Sequence, residues 1–136
     1  MGMANLKVFL ESCTDLGLVR LICTNGGAVL EVRTVIQKLY YAELPKGKYA
    51  NMHTEDFEFH LNIDRIKSVK FEQGEAKRGN FSTYAIRLLN EQNEPDLSIF
   101  LQWGKPGEYA PGQIEHWEQL KAEYGEVWTP EVLTEI

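Results

Sequence analysis

The sequence is poor in cysteine and proline, with two of one and five of the other in 136 residues. Cys13 and Cys23 could in principle pair, but without an export signal they are expected as free thiols, and the lack of a CxxC pair or Cys/His ligand spacing argues against a structural zinc site. No apolar run approaches the roughly 18 residues of a transmembrane helix. The opening stretch MGMANLKVFLESCTDLG has too short an apolar segment for a secretory signal. Gly2 begins no myristoylation pattern, because Asn5 and Leu6 do not complete it. Positive charge is also scarce. The net charge is -6 and the pI near 5.1, which argues against nucleic acid or an anionic membrane as the main partner, since both need a cationic footprint. Catalytic templates are missing: there is no GxSxG, GxxxxGK[ST], HExxH, or GxGxxG after a strand. These absences predict a cytoplasmic protein with free thiols, no membrane insertion and no nucleic-acid partner.

What is present is ordinary globular composition, 43% hydrophobic and 25% charged. The length suits a single domain over residues 1–136, able to bury a core without staples. Leu6, Phe9, Leu10 and Cys13 recur at helical spacing and predict a short N-terminal helix. Residues 18–25 read as a strand, ended by a hairpin turn at Asn25-Gly26-Gly27. Residues 28–44, rich in β-branched side chains, read as one long strand or two in succession. Pro45 and Gly47 break that pattern, and His53 falls in an apparent loop, YANMHTEDF. Residues 57–64 alternate strictly, with Phe57, Phe59, Leu61 and Ile63 on one face and Glu58, His60, Asn62 and Asp64 on the other. Further strands are expected within 65–76, 82–90 and 97–103. The loop 104–112 follows, then an amphipathic helix over 113–125 with Ile114, Trp117, Leu120 and Tyr124 inward and Gly125 as its cap. The fold class is therefore α+β: a large antiparallel sheet with a short N-terminal helix and a C-terminal amphipathic helix.

Three histidines and one cysteine are chemical candidates. His116 lies among Glu115 and Glu118 on the charged side of the last helix and reads as solvated. His53 is a loop ligand or simply exposed. Cys23 reads as a small buried strand residue; a thiolate pair with His60 is the alternative. His60 is the informative position. On a polar strand face it is either a solvent-facing residue paired with Glu58 or Glu72, or a metal ligand, and heme iron commonly takes imidazole.

The segments LPKGKYANMH, FHLNIDRIKSVKF, KRGNFSTYAIRLLN, LSIFLQWGKPG and QIEHWEQL, in this order, resemble the intracellular heme-utilization carriers of the ChuX/HutX type, relatives of the halves of HemS-type heme-trafficking proteins. The resemblance runs over residues 18–124. It implies a heme-binding homodimer without a catalytic triad. His60 falls on the histidine of the family's Gly-His-Leu strand, one of two tied to heme, and becomes the candidate metal ligand. Cys23 stands where the second histidine lies. Phe59 replaces the glycine before the strand histidine, and ANMHT replaces the family's Gly-Tyr-Phe-Asn-Leu, which introduces His53. Lys105 takes the basic position of the glycine-rich loop. The N-terminal helical region is much shorter than in the family.

Heme (iron protoporphyrin) is a flat apolar disc with two carboxylates, so its site needs an apolar wall, iron ligands and cations. Trp103, Tyr84 and Phe100 are the candidate wall, with core packing the other role for Phe100 and Tyr84. Arg87, Lys48 and Lys105 are the candidate propionate cations. The expectation is heme carriage, storage or utilization. The alternatives are a heme-degrading or iron-releasing enzyme on the same site, or a dimeric scaffold that has lost heme.

Overall fold

The computed structural model describes residues 4–136. Gly2, set aside above as an acylation site, lies outside them. The large sheet has six antiparallel strands. They are β1 (Leu18–Thr24), β2 (Val29–Val35), β6 (Ser68–Glu75), β7 (Ser82–Leu89), β8 (Pro95–Leu101) and β9 (Val127–Trp128), in the order β2-β1-β8-β7-β6-β9. Alternation decides its two faces. Val19, Leu21, Val69, Phe71, Ile86, Leu88, Leu97, Ile99 and Leu101 are buried on the inner face. Arg20, Glu72, Ala85, Arg87 and Phe100 have the opposite parity and form the outer face.

Two helices cover the inner face. In α1 (Leu6–Ser12) the Asn5 side chain caps the N-terminus by accepting from the Val8 N–H at 2.9 Å. Phe9 is fully buried and meets the rings of Phe71, Tyr124 and Trp128 edge-on. In α2 (Gln113–Tyr124), Trp117 packs against Phe71 and Tyr84 and donates its indole N–H to the Ala85 carbonyl. Gln113 is buried because its amide donates to the carbonyls of Leu16 and Leu18, at 2.6 and 2.7 Å. That pins the start of α2 to the start of β1. Among the described residues, no helix is long and apolar enough to cross a membrane.

The expected large antiparallel sheet and its two helices are present, and a second, three-stranded sheet accompanies them. Residues 28–44 split into β2 and β3 (Tyr40–Leu44), and β3 pairs elsewhere, with β4 (Gly47–His53) and β5 (Glu58–Asn62) in a three-stranded sheet. The chain leaves the large sheet past buried Ile36 and turns at Lys38, whose φ of 53° is left-handed. The expected loop around His53 is likewise a strand: β4 ends on that residue. Strand β3 turns into β4 over Pro45 and Lys46 alone, since Leu44 and Gly47 are register partners. Gly47 has φ 143°, and a Cβ there would sit 2.6 Å from Asn62 Oδ1 and 3.0 Å from Asp64 Oδ2. The same two side chains accept nearby amides and hold the turn, so only glycine fits. Ala50, Met52 and Leu61 bury the inner face of the small sheet in the common core. Tyr41 of β3 meets α1, under the Lys7 ammonium and with its hydroxyl on the Glu11 carboxylate.

Candidate functional site

The outer face of the large sheet carries an open cavity of about 510 Å³. Strand register builds it. One row across the sheet reads Arg20, Phe100, Ala85, Glu72 on β1, β8, β7 and β6. The next row towards the β6–β7 turn pairs Thr83 with Gly74. Small side chains at 74, 83 and 85 leave the floor low, while Phe100, Phe81 and Trp103 rise around it. Phe81 and Trp103 pack edge-to-face, with centroids 4.9 Å apart. The loop 104–112 closes against Phe81 at Gly107, where a Cβ would come within 2.9 Å of the Phe81 Cβ.

Two guanidiniums flank Phe100. The Arg20 group lies 5.2 Å from its ring centroid and 5.3 Å from that of Trp103; the Arg87 group lies 5.0 Å from Phe100 on its own side. Arg87 is well partnered, donating to Glu72 at 2.9 Å and Ser98 at 2.8 Å. Arg20 is less so. Its Nη1 donates to Gln102 at 3.3 Å. Glu31 Oε1 is 3.1 Å from Nε but off the N–H direction, so this buried donor has no aligned acceptor. An apolar ring between two cations over a shallow floor suits a flat, apolar dianion, and the porphyrin body with its propionates is one. The fit stops at the iron: among the described residues, no histidine, cysteine, methionine or tyrosine lines the cavity.

His60 belongs to a different surface. It stands on β5 beside His53 of β4, with ring centroids 5.8 Å apart. Glu58 Oε1 lies 3.1 Å from His53 Nε2 and 3.3 Å from His60 Nε2. His60 Nδ1 is 2.7 Å from Asn51 Oδ1, and the Tyr40 hydroxyl is 2.6 Å from His53 Nε2. Of the two expected partners of His60, Glu58 is therefore in reach, whereas Glu72 binds Arg87 on the large sheet.

The sequence candidates thus divide. Arg87, Trp103 and Phe100 meet in the cavity. Tyr84 does not join that wall: it has the parity of Ile86 and packs on Trp117 and Tyr109 at the inner face. Cys23 shares the parity of Val19 and Leu21 and packs, half-buried, against the core. Burial, with a smaller contribution from Asp96, raises its thiol pKa and so disfavours thiolate. Lys48 pairs with Asp64 at 3.7 Å at the β3–β4 turn, and Lys105 is exposed on the loop between Trp103 and Pro106. His116 is not solvated as expected. It is half-buried, with Nε2 donating to the Ser12 carbonyl at 3.0 Å and tying α2 to α1. Sequence reasoning missed Arg20, Phe81 and the cluster partners Tyr40 and Asn51. Arg20 left a readable signal: an arginine in the otherwise apolar strand LVRLICT, opposite in parity to Val19 and Leu21.

Solved structures share this fold. A protein from Agrobacterium tumefaciens superposes with TM-score 0.72 at 18% identity, over 86% of this chain and 65% of its own. The heme binding protein ChuX gives 0.71 at 16% identity, over 87% of this chain and 71% of its own. ChuS, a heme oxygenase from E. coli, gives 0.64 at 17% identity, over 87% of this chain but 33% of its own. The chain therefore spans just under two-thirds of the first of these proteins and a third of the last. No curated protein sequence matches it. The family model described as Haem utilisation ChuX/HutX matches residues 2–120, most of the chain, and the protein accordingly belongs to the ChuX/HutX heme-utilisation family.

Proposed function

We propose that the chain, acting as one domain, binds heme in the cytoplasm and carries it rather than degrading it. The observation that carries this reading is the Arg20–Phe100–Arg87 arrangement, a ring flanked by two cations over a floor of small side chains. Phe100, Phe81 and Trp103 would take the apolar faces of the porphyrin, and Arg20 and Arg87 its carboxylates. Heme would supply the iron; the chain's own part is to hold and orient the ring. Family membership supports the ligand class. Degradation would need a separate reductase to supply electrons, because the sequence has no nucleotide-binding motif of its own.

A second reading places the iron on the small sheet, at His60. It rests on the Asn51 contact, which occupies Nδ1 and leaves Nε2 for a ligand. Hemin titration of the purified protein tests both. A saturable Soret change that weakens in Arg20 and Arg87 variants supports the cavity. One that weakens in His60→Ala and not in the arginine variants supports the small sheet. No saturable change refutes heme binding. Loss of the bound Soret band on adding a reductase and its reductant would replace carriage by degradation.

We further propose a homodimer formed through the sheets. Strand β2 is an edge strand with Val29 and Leu30 each about two-thirds exposed, and an open apolar edge favours pairing with a second strand.

A further inference from the structure

We propose that His53, Glu58 and His60 form a site for a divalent transition-metal ion of the zinc class, separate from the cavity. The three ligand atoms all lie within 4.8 Å of one another. Backbone register puts them there. His53 and Glu58 are directly paired across the β4–β5 hairpin, and His60 is two residues further along β5 on the same face. The hairpin is stiff at this end: the Thr54 hydroxyl accepts from the amides of Asp56 and Phe57, and the Thr54 amide donates to the Phe57 carbonyl at 2.9 Å.

The hydrogen bonds around His60 define its tautomer. Asn51 is buried, and its amide nitrogen faces the carbonyls of Tyr40 and Tyr49 at 3.2 and 3.4 Å. Its Oδ1 is therefore the atom facing His60, and His60 Nδ1–H donates to it. A neutral His60 then presents the Nε2 lone pair outward, 3.3 Å from Glu58 Oε1. A carboxylate oxygen only accepts, so two lone pairs face each other unless a cation stands between them. A proton satisfies one such pair. A metal ion satisfies His53, Glu58 and His60 together. His53 Nε2 lies 2.6 Å from the Tyr40 hydroxyl and 3.1 Å from Glu58 Oε1, and an ion bound at this nitrogen would take the place of the Tyr40 contact.

Two imidazoles and one carboxylate, with water in the remaining positions, are a donor set that zinc takes at about 2.0–2.2 Å per bond. Tetrahedral bonds of that length set ligand atoms about 3.4 Å apart; both imidazoles already lie at 3.1 and 3.3 Å from Glu58 Oε1, all three ligand atoms fall within 4.8 Å of one another, and rotation of these exposed side chains closes the remainder. The Asn51–His60 bond plays the part that second partners play in metal sites, holding the ring with the correct nitrogen outward.

The test uses tag-free, heme-free, chelator-treated protein. It is titrated with ZnCl₂ by calorimetry and with CoCl₂ by visible absorption. One ion per chain is expected. His53→Ala and Glu58→Gln should each weaken it by more than the roughly 100-fold that losing a hydrogen-bond partner of a ligand costs at most. Both positions are exposed, so thermal unfolding should show the fold retained. Cys23→Ser and His116→Ala should bind like the parent. A parent that takes up neither ion saturably overturns the site, as does binding that survives both His53→Ala and Glu58→Gln. Hemin is absent throughout, so failure here leaves the cavity reading of heme untouched, and failure of the hemin titration leaves this site untouched.

Discussion

Replacing Arg20 by methionine isolates the cavity cation that carries a buried donor without an aligned acceptor. Methionine keeps much of the stem's packing and removes the charge. Two terms in the folded chain oppose each other. The change loses cation–π contacts to Phe100 and Trp103, about 0.5–1 kcal/mol each, and the long hydrogen bond to Gln102, about 0.5–1.5 kcal/mol. It also removes a buried N–H with no aligned acceptor, a burden of about 1–3 kcal/mol. Stability should therefore move little, within about 1 kcal/mol, since the opposing terms are of similar size. Hemin binding has no such offset. A charge-assisted hydrogen bond to a propionate contributes about 1.5–3 kcal/mol. At 1.4 kcal/mol per tenfold, the affinity should fall about 10- to 150-fold. Arg20→Lys should fall between parent and methionine, because it retains charge but loses the planar group stacked between two rings. The assay is a hemin titration followed in the Soret region at low and high salt, with thermal unfolding alongside. The gap between parent and Arg20→Met should narrow at high salt as the ion pair is screened. Iron-free protoporphyrin should show the same dependence on Arg20. If the folded methionine variant binds hemin within about twofold of the parent, a difference of only about 0.4 kcal/mol, the cavity does not hold the carboxylates.

Gly47→Ala should destabilise by about 1–3 kcal/mol in a denaturant titration, because its positive φ and the Asn62 side chain leave no place for a Cβ; unchanged stability would mean that the β3–β4 turn is not as described. Cys23→Ser should lower stability by about 1–3 kcal/mol, because a hydroxyl replaces a thiol packed against the core, and should leave the hemin Soret maximum in place; the reverse pattern would put the thiol at the heme. Burial raises the Cys13 thiol far above its ordinary value of 9.0, so its contribution is whole below that value and is lost as pH rises beyond it. The slope from this group is about 1.4 kcal/mol per pH unit, and unfolding of Cys13→Ala should show a shallower alkaline loss than the parent. Sedimentation at micromolar concentration should show a species larger than the 15.6 kDa chain, and a single species of that mass would sink the dimer.

The pattern of residue types by itself determined most of the strands and both helices. Side chains alternate with period two along Leu18–Thr24, Ser68–Glu75 and Ser82–Leu89, and the backbone imposes that repeat whatever lies across the sheet. It also placed His60 on a polar face and Cys23 opposite Arg20. It even held the separation of Tyr84 from Arg87, since an odd spacing sends the two to opposite faces. Strand β4 was not legible. Its buried residues are Ala50, Asn51 and Met52, a run without the β-branched signature, and Asn51 is tolerated only because backbone carbonyls and His60 satisfy it. The split of 28–44 hinged on a left-handed Lys38, a residue type that carries no turn signal. The site depended on tertiary structure most of all. Arg20 meets Phe100, and Phe100 meets Ala85, through strand register between segments far apart in the chain. His53 meets His60 only because β4 and β5 form a hairpin in that register. Periodicity is a property of one segment's backbone. Which faces meet is settled by the burial of the whole core, to which every strand contributes.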